Sequence, residues 1–334
     1  MLRLASPTWR WLCSAILLSA FLSSTQAQER AGGAASADAI DARRPEQWLQ
    51  IIQQAARRLD YAGTMVYQQG TDVRMSRVVH VFDGKVSHER LQPMEGRPRE
   101  FIRRADEVKC LIPEARRVVV ERKSRAESFP GFAAAGTAEL LQHYSVRIVG
   151  RERVGGLDCQ VLEIQPHEGD RYGYRLWVDR ASGLLIRSQT LNERGEALEQ
   201  MAFADLRIGG IDRDQLKPSW STDGWKVDEV THRPIDLREQ GWRLLAPSGF
   251  RPLYAVRRPL AGGQALQAVY SDGLASLSVF IEPATAAGSS EALPQRGPIN
   301  GYVRLMDDSI VTVVGEIPAD TARTVAQAVE RIGR

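Results

Sequence analysis

RYGYRLWVDRASGLLIRSQTLNERGEALEQMAFADL, residues 171–206, reads as three β-strands in immediate succession with both turns spelled out. Side chains alternate across a strand with period two, so Tyr172, Tyr174, Leu176 and Val178 share one face of the first strand. Gly173, Arg175, Trp177 and Asp179 share the other, and the pattern predicts one face built for burial. Asp179-Arg180-Ala181-Ser182-Gly183 and Asn192-Glu193-Arg194-Gly195 are short segments ending in glycine, which takes the positive φ that closes a tight hairpin. An antiparallel meander follows, with no catalytic group in it.

Upstream, Pro45 opens a helix on which Trp48, Ile52, Ala55 and Leu59 form one stripe that should pack on a sheet. Strands are predicted near 62–68, 73–82, 85–92, 99–104, 107–112 and 116–122, too closely linked to be anything but antiparallel. After a short helix near Ala138–Gln142, strands at 145–153 and 157–165 lead into the meander. About eleven strands with few helices make residues 45–207 one large, strongly curved sheet. Residues 208–224 lapse into Gly-Gly, Lys-Pro-Ser and Ser-Thr-Asp-Gly and read as a linker. Residues 225–334 carry strands near 226–231, 252–258, 266–271, 274–282, 299–305 and 309–315. A helix follows Pro318, with Ala322, Val325, Ala326, Val329 and Ile332 at helical spacing. The predicted fold class is α+β, mainly antiparallel β, in two domains.

Arg3 and Arg10 precede an apolar run from Leu12 to Leu22, and Thr25-Gln26-Ala27 offers small residues before a cut, so residues 1–27 read as a secretory signal. The run falls well short of the roughly 20 residues that span a bilayer. The expected product is therefore soluble outside the cytoplasm, with a mobile Ala/Gly/Ser-rich tail at 28–44. Removing 27 of the 334 residues leaves 307 and lowers the formal charge from +3 to +1. A nearly neutral, exported chain does not suit nucleic acid. Cys110 and Cys159, 49 residues apart, would close a loop worth about 4 kcal/mol if bridged. The strands that hold them are not sequence neighbours, which favours two separate thiols.

None of the five histidines stands at metal-ligand spacing, and His88-Glu89 departs from a zinc-protease motif because Gln92 occupies the place of the second histidine. There is no G-x-S-x-G, C-x-x-C, P-loop or G-x-G-x-x-G. No enzyme, cofactor or metal is predicted. Residues 97–125 carry ten Lys/Arg against five acids. Arg97, Arg99, Arg103, Arg104, Arg116, Arg117, Arg122 and Lys123 are candidate contacts to lipid phosphates or an acidic partner. Outward-facing arginines on ordinary strands explain the same residues, and adjacent pairs such as Arg103-Arg104 cannot point one way. Phe129 and Phe132, in an apolar but irregular segment, are candidates for a lid over an apolar site or for core filling.

The chain resembles the RseB/MucB family of periplasmic regulators of sigma-E (AlgU-type) envelope-stress signalling. The matching pieces run in order: Ala62-Gly63-Thr64-Met65-Val66-Tyr67, the meander, Leu245-Ala246-Pro247-Ser248-Gly249-Phe250, then Tyr270-Ser271-Asp272-Gly273-Leu274 into Leu277-Ser278-Val279-Phe280, and last Val311 to Pro318. The resemblance implies a half-open barrel similar to LolA and LolB, with helices plugging its concave side, and a smaller C-terminal domain. It implies a periplasmic negative regulator that binds the periplasmic domain of a membrane-spanning anti-sigma factor and shields it from proteolysis. Lipopolysaccharide or the acyl chains of mislocalised lipoprotein would be the releasing signal, taken up in a first-domain cavity, and self-association is also implied. A lipid or lipoprotein carrier is the alternative, for which the additional second domain would be superfluous.

Overall fold

A computed structural model describes residues 43–122, 136–231, 233–260, 263–284, 290–306 and 308–332. The expected signal, nearly all of the expected tail, and Lys123, Phe129 and Phe132 lie outside these residues. Helix α1 (Pro45–Arg58) starts with proline in its first turn, and its buried side chains are Trp48, Leu49, Ile52, Ala55 and Ala56. It ends at Leu59, whose backbone is already extended and whose N–H donates to the Ala55 carbonyl.

The strands that follow are β1 (Tyr61–Gln69), β2 (Asp72–Phe82), β3 (Ser87–Pro93), β4 (Glu100–Arg104), β5 (Glu107–Ile112) and β6 (Arg117–Arg122). Beyond helix α2 (Thr137–Leu140) come β7 (Tyr144–Val154), β8 (Leu157–Pro166), β9 (Gly173–Asp179), β10 (Leu185–Leu191), β11 (Ala197–Ile208) and β12 (Lys226–Val230). All twelve form one sheet, ordered β12-β6-β5-β4-β3-β2-β1-β11-β10-β9-β8-β7. The two ends do not meet, so the sheet is open. It is also curled: β2 and β7 stand six strand steps apart, nearly 30 Å in a flat sheet. Yet helix α1 packs against both of them, over a buried cluster of Tyr61, Val78, Val154, Cys159, Val161, Trp177, Leu184, Ile186 and Phe203.

The meander forms as its turns dictate. Asp179 Oδ2 accepts from the Ser182 N–H (2.8 Å) and hydroxyl (2.6 Å), and Gly183 supplies φ +77. Asn192 Oδ1 accepts from the N–H groups of Arg194 and Glu196 (both 2.9 Å), and Gly195 supplies φ +76. The expectation of a single buried face is corrected, because every residue of β9 except Arg175 is buried. Curling brings Trp177 into the cluster above, where its indole N–H donates to Glu152 (2.8 Å).

The second sheet is ordered β14-β15-β16-β19-β18-β17, with β14 (Arg251–Leu260), β15 (Gly263–Ser271), β16 (Ser276–Pro283), β17 (Glu291–Arg296), β18 (Ile299–Met306) and β19 (Ser309–Glu316). Helix α3 (Ala319–Gln327) packs on β18 and β19 and buries Ala322, Val325 and Ala326. The expected continuation of this helix through Val329 and Ile332 is corrected. Arg304 Nη1 donates to the carbonyls of Ala326 (3.0 Å), Gln327 (2.8 Å) and Val329 (3.0 Å), which ends the helix. Val329–Arg331 then pairs as β20 with β13 (Trp242–Leu244). β17 escapes sequence reading because Pro294 breaks its pattern, a residue tolerated only on an edge strand such as this one. The strand expected near 226–231 in the second domain is instead β12, which runs parallel to β6 on the first sheet.

Cys110 on β5 and Cys159 on β8 are both free thiols. Burial, with the Asp179 charge nearby, pushes the Cys159 thiol up to about 11, and burial also raises Cys110. Ellman titration of the native protein at pH 8 is expected to leave Cys159 unreacted, and one new thiol should appear on unfolding in guanidinium. Immediate reaction at Cys159 in the folded protein would contradict this packing.

Candidate functional site

Arg171, two residues before β9, ties the first sheet to the second. Its Nη1 donates to Asp272 Oδ2 (2.8 Å), which also accepts from the Tyr144 hydroxyl (2.8 Å). Its Nε and Nη2 donate to the Asp170 carboxylate (2.7 and 2.9 Å), and Nη2 donates to the Ser248 carbonyl (2.6 Å). The guanidinium lies 5.1 Å from the centre of the Phe250 ring. The side chains of Arg171 and Asp272 are only 2% and 1% exposed, so each is buried against an opposite charge, with Asp170 as a second partner of the guanidinium. Asp272 Oδ1 accepts from the N–H groups of Leu274 and Ala275 and so closes the β15–β16 hairpin. Around this centre Asn300 Nδ2 donates to Tyr172 Oη (2.8 Å), and Thr321 donates to the Asp170 carbonyl (2.9 Å). Burial, then Tyr174 and Asp272, hold the Tyr144 hydroxyl far above its ordinary range, so it stays a donor.

A cavity of about 380 Å³ opens beside the joint, bordered by Arg171, Arg175, Glu163, His167 and Glu193. Another, about 390 Å³, lies in the second domain against Trp242, Tyr254 and Tyr270. Neither is the apolar first-domain trough expected for acyl chains.

A second polar group crosses four strands. Tyr61, His80, Glu89 and Arg103 stand opposite one another in register on β1, β2, β3 and β4. The Tyr61 and His80 rings stack at 4.9 Å, and Arg103 Nη1 lies 3.8 Å from Glu89 Oε2. His80 Nδ1 meets the Leu59 carbonyl at 2.8 Å, and since a carbonyl only accepts, Nδ1 carries the proton. Burial holds His80 below its ordinary 6.5, against the opposing pull of that hydrogen bond and of the Glu89 and Asp60 charges. The unfolded chain therefore binds the proton more readily. Stability contributed by neutral His80 is complete above pH 6.5 and is lost as pH falls below it. Urea midpoints measured from pH 7.5 to 5 should decline, and His80→Gln should flatten the decline. An unchanged slope would remove His80 as its source.

The basic segment is dispersed. Arg103 turns inward to Glu89, Arg117 Nε donates to Asp228 on β12 (2.7 Å), and Arg122 lies 3.5 Å from Glu107. Arg97 stands 4.0 Å from Glu114, and Arg97, Arg99, Arg104, Arg116, Arg117 and Arg122 are all exposed. Strand alternation thus divides the run, and the register sets Arg104 and Arg122 at one end of β4–β6 and Arg99, Arg116 and Arg117 at the other. Sequence reading missed the Arg171–Asp272–Tyr144 joint, because its members lie about a hundred residues apart and Asp272 also explains a local turn. Among the described residues no group of three or more His, Cys, Asp or Glu could hold a metal ion, and no helix is long and apolar enough to cross a membrane.

Residues 44–220 match the MucB/RseB N-terminal domain, and residues 236–330 match the MucB/RseB C-terminal domain. The chain belongs to the MucB/RseB family. The sigma factor AlgU regulatory protein MucB of Pseudomonas aeruginosa is 32% identical over 305 residues, 88% of this chain and 91% of the relative. The sigma-E factor regulatory protein RseB of Escherichia coli K12 is 26% identical over 295 residues, 84% and 89% of the two chains. Among solved structures, MucB in the Pseudomonas aeruginosa MucA/MucB complex superposes with TM-score 0.71 at 29% identity, covering 87% of this chain and 99% of that one. MucB in complex with MucA(peri) gives TM-score 0.69 at 28% identity, over 87% and 100%. The MucB/RseB family is one of sigma-factor regulators, and both of its domains, joined through Arg171 and Asp272, are present here.

Proposed function

We propose that this protein is an exported negative regulator that binds the periplasmic domain of a membrane-spanning anti-sigma factor and makes no or breaks no covalent bond in doing so. The likeness to MucB as it stands in the MucA complex, over nearly all of both chains, carries this reading. Protection is mass action: an anti-sigma segment held in the complex is withdrawn from a protease that needs it extended. Release follows if a second ligand binds the free regulator better than the complex, and lipopolysaccharide or lipoprotein acyl chains are the proposed ligands. The expected processing point is near Ala27, and the expected residence is the periplasm.

The test uses the full processed chain, a purified periplasmic domain of the anti-sigma factor and the site-one protease. Cleavage should slow as the regulator approaches stoichiometry, and lipopolysaccharide should restore it. Cleavage unaffected by the regulator would refute the binding reading. Slowed cleavage insensitive to lipopolysaccharide and to acylated peptide would refute only the signal.

A further inference from the structure

We infer that β12 is a displaceable cover strand, and that the β6 edge beneath it is a docking site for an extended acidic segment of a protein partner. β12 differs from every other strand of the first sheet in having no buried residue among those described, and its Val227 is 57% exposed. It is the one parallel neighbour in that sheet, five residues long. Apart from its backbone pairing, it is held by the ion pair of Arg117 with Asp228. Solvent reaches both partners, so this tie is weak.

Both ends of the segment are anchored elsewhere. Before β12, the Ser219 N–H donates to the buried Glu100 carboxylate (3.0 Å), and Arg90 Nη1 donates to the Gln215 carbonyl (3.0 Å). After it, Pro234 bridges Val256 and the Ile235 N–H donates to the Ala255 carbonyl (2.9 Å). Residues between these anchors can lift away as a loop while both sheets keep their cores.

The sequence of β12, Lys-Val-Asp-Glu-Val, shows what the edge accepts. Asp228 and Glu229 sit between Val227 and Val230, and Asp228 meets Arg117 of β6, on a strand whose flanking Arg116 and terminal Arg122 are also exposed. An incoming strand with a carboxylate in the place of Asp228 would take over the Arg117 fork and the backbone bonds of β6. Because β12 competes from within the same chain, the apparent affinity of such a segment is multiplied by the fraction of molecules in which β12 has lifted, and so is lowered. This goes beyond the regulatory reading, and its test needs no anti-sigma factor.

A fluorescent peptide copying residues 224–231 is the probe. It would be titrated against the parent chain, against Asp228→Arg and Asp228→Asn, and against a chain carrying Val120→Cys and Glu229→Cys, which stand in register, joined as a disulfide. Asp228→Arg, or Asp228→Asn if the first fails to fold, should bind at least ten-fold more tightly than the parent. The locked chain should not bind, and neither should Arg117→Glu. Equal affinity in all folded chains, no binding by any of them, or equal binding of a peptide with lysine in place of the aspartate would overturn the proposal. Anionic lipid vesicles that bind parent and locked chains alike, while the peptide binds neither, would assign the arginines to phosphate and overturn it as well.

Discussion

Asp272→Ala is expected to lower the unfolding free energy by about 3–5 kcal/mol, because it removes the fully buried one of the two carboxylates that pair with Arg171 and leaves the guanidinium only the partly exposed Asp170. A native domain commonly holds only about 5–15 kcal/mol in all, so the variant should sit near the edge of folding. The same change strips the β15–β16 hairpin of the acceptor for Leu274 and Ala275, which adds to the loss. Tyr144→Phe removes one of several bonds to the same carboxylate and should cost only about 1 kcal/mol. The paired change Arg171→Met with Asp272→Leu should recover only the part of the loss that comes from the unpaired guanidinium, since a buried ion pair contributes little net stability once both partners are apolar, while the hairpin acceptor stays missing. Urea midpoints measure all three. If Asp272→Ala proves no worse than Tyr144→Phe, the joint is not the buried ion pair described above.

Gly63→Ala should be comparably damaging, at about 3 kcal/mol, for a reason of space alone. A Cβ on Gly63 would lie 2.2 Å from the Asp205 carbonyl oxygen, backbone that cannot rotate aside. β1 and β11 would have to part at the place where their register already shifts beside Thr64, and where the Thr64 N–H donates to Asp205 Oδ1 (3.1 Å). The control is Gly70→Ala, where φ is +57 but nothing lies within 4 Å of the added methyl. That change meets only the left-handed backbone penalty of about 1–2 kcal/mol. The two substitutions separate close approach from conformational freedom, and equal effects would show that the β1–β11 contact yields.

The strands of the meander were legible because each is specified within a few residues: alternation along β9, an Asx turn at Asp179, another at Asn192, and glycine at Gly183 and Gly195. The stripe of α1 was legible for the same reason, and its Trp48, Ile52 and Ala55 are buried as the periodicity predicts. β17 and the end of α3 were not. A proline is read against a strand unless the strand is known to be an edge, and the helix stops where Arg304, about twenty residues earlier, takes its carbonyls. The basic run was visible as composition, but which arginines turn inward and which reach solvent depended on register.

Periodicity, turn chemistry and a handful of ordered family segments therefore sufficed for most of the elements, for the mainly antiparallel class and for the regulatory family, since each is carried by neighbours in the chain. Three arrangements needed the folded molecule: the Arg171–Asp272–Tyr144 joint, the Tyr61–His80–Glu89–Arg103 row, and the placement of β12 on β6. Each joins residues whose pairing is decided by how strands stack and curl in space. Polar side chains look alike along a sequence, and only burial beside a particular partner separates a structural charge from a solvated one.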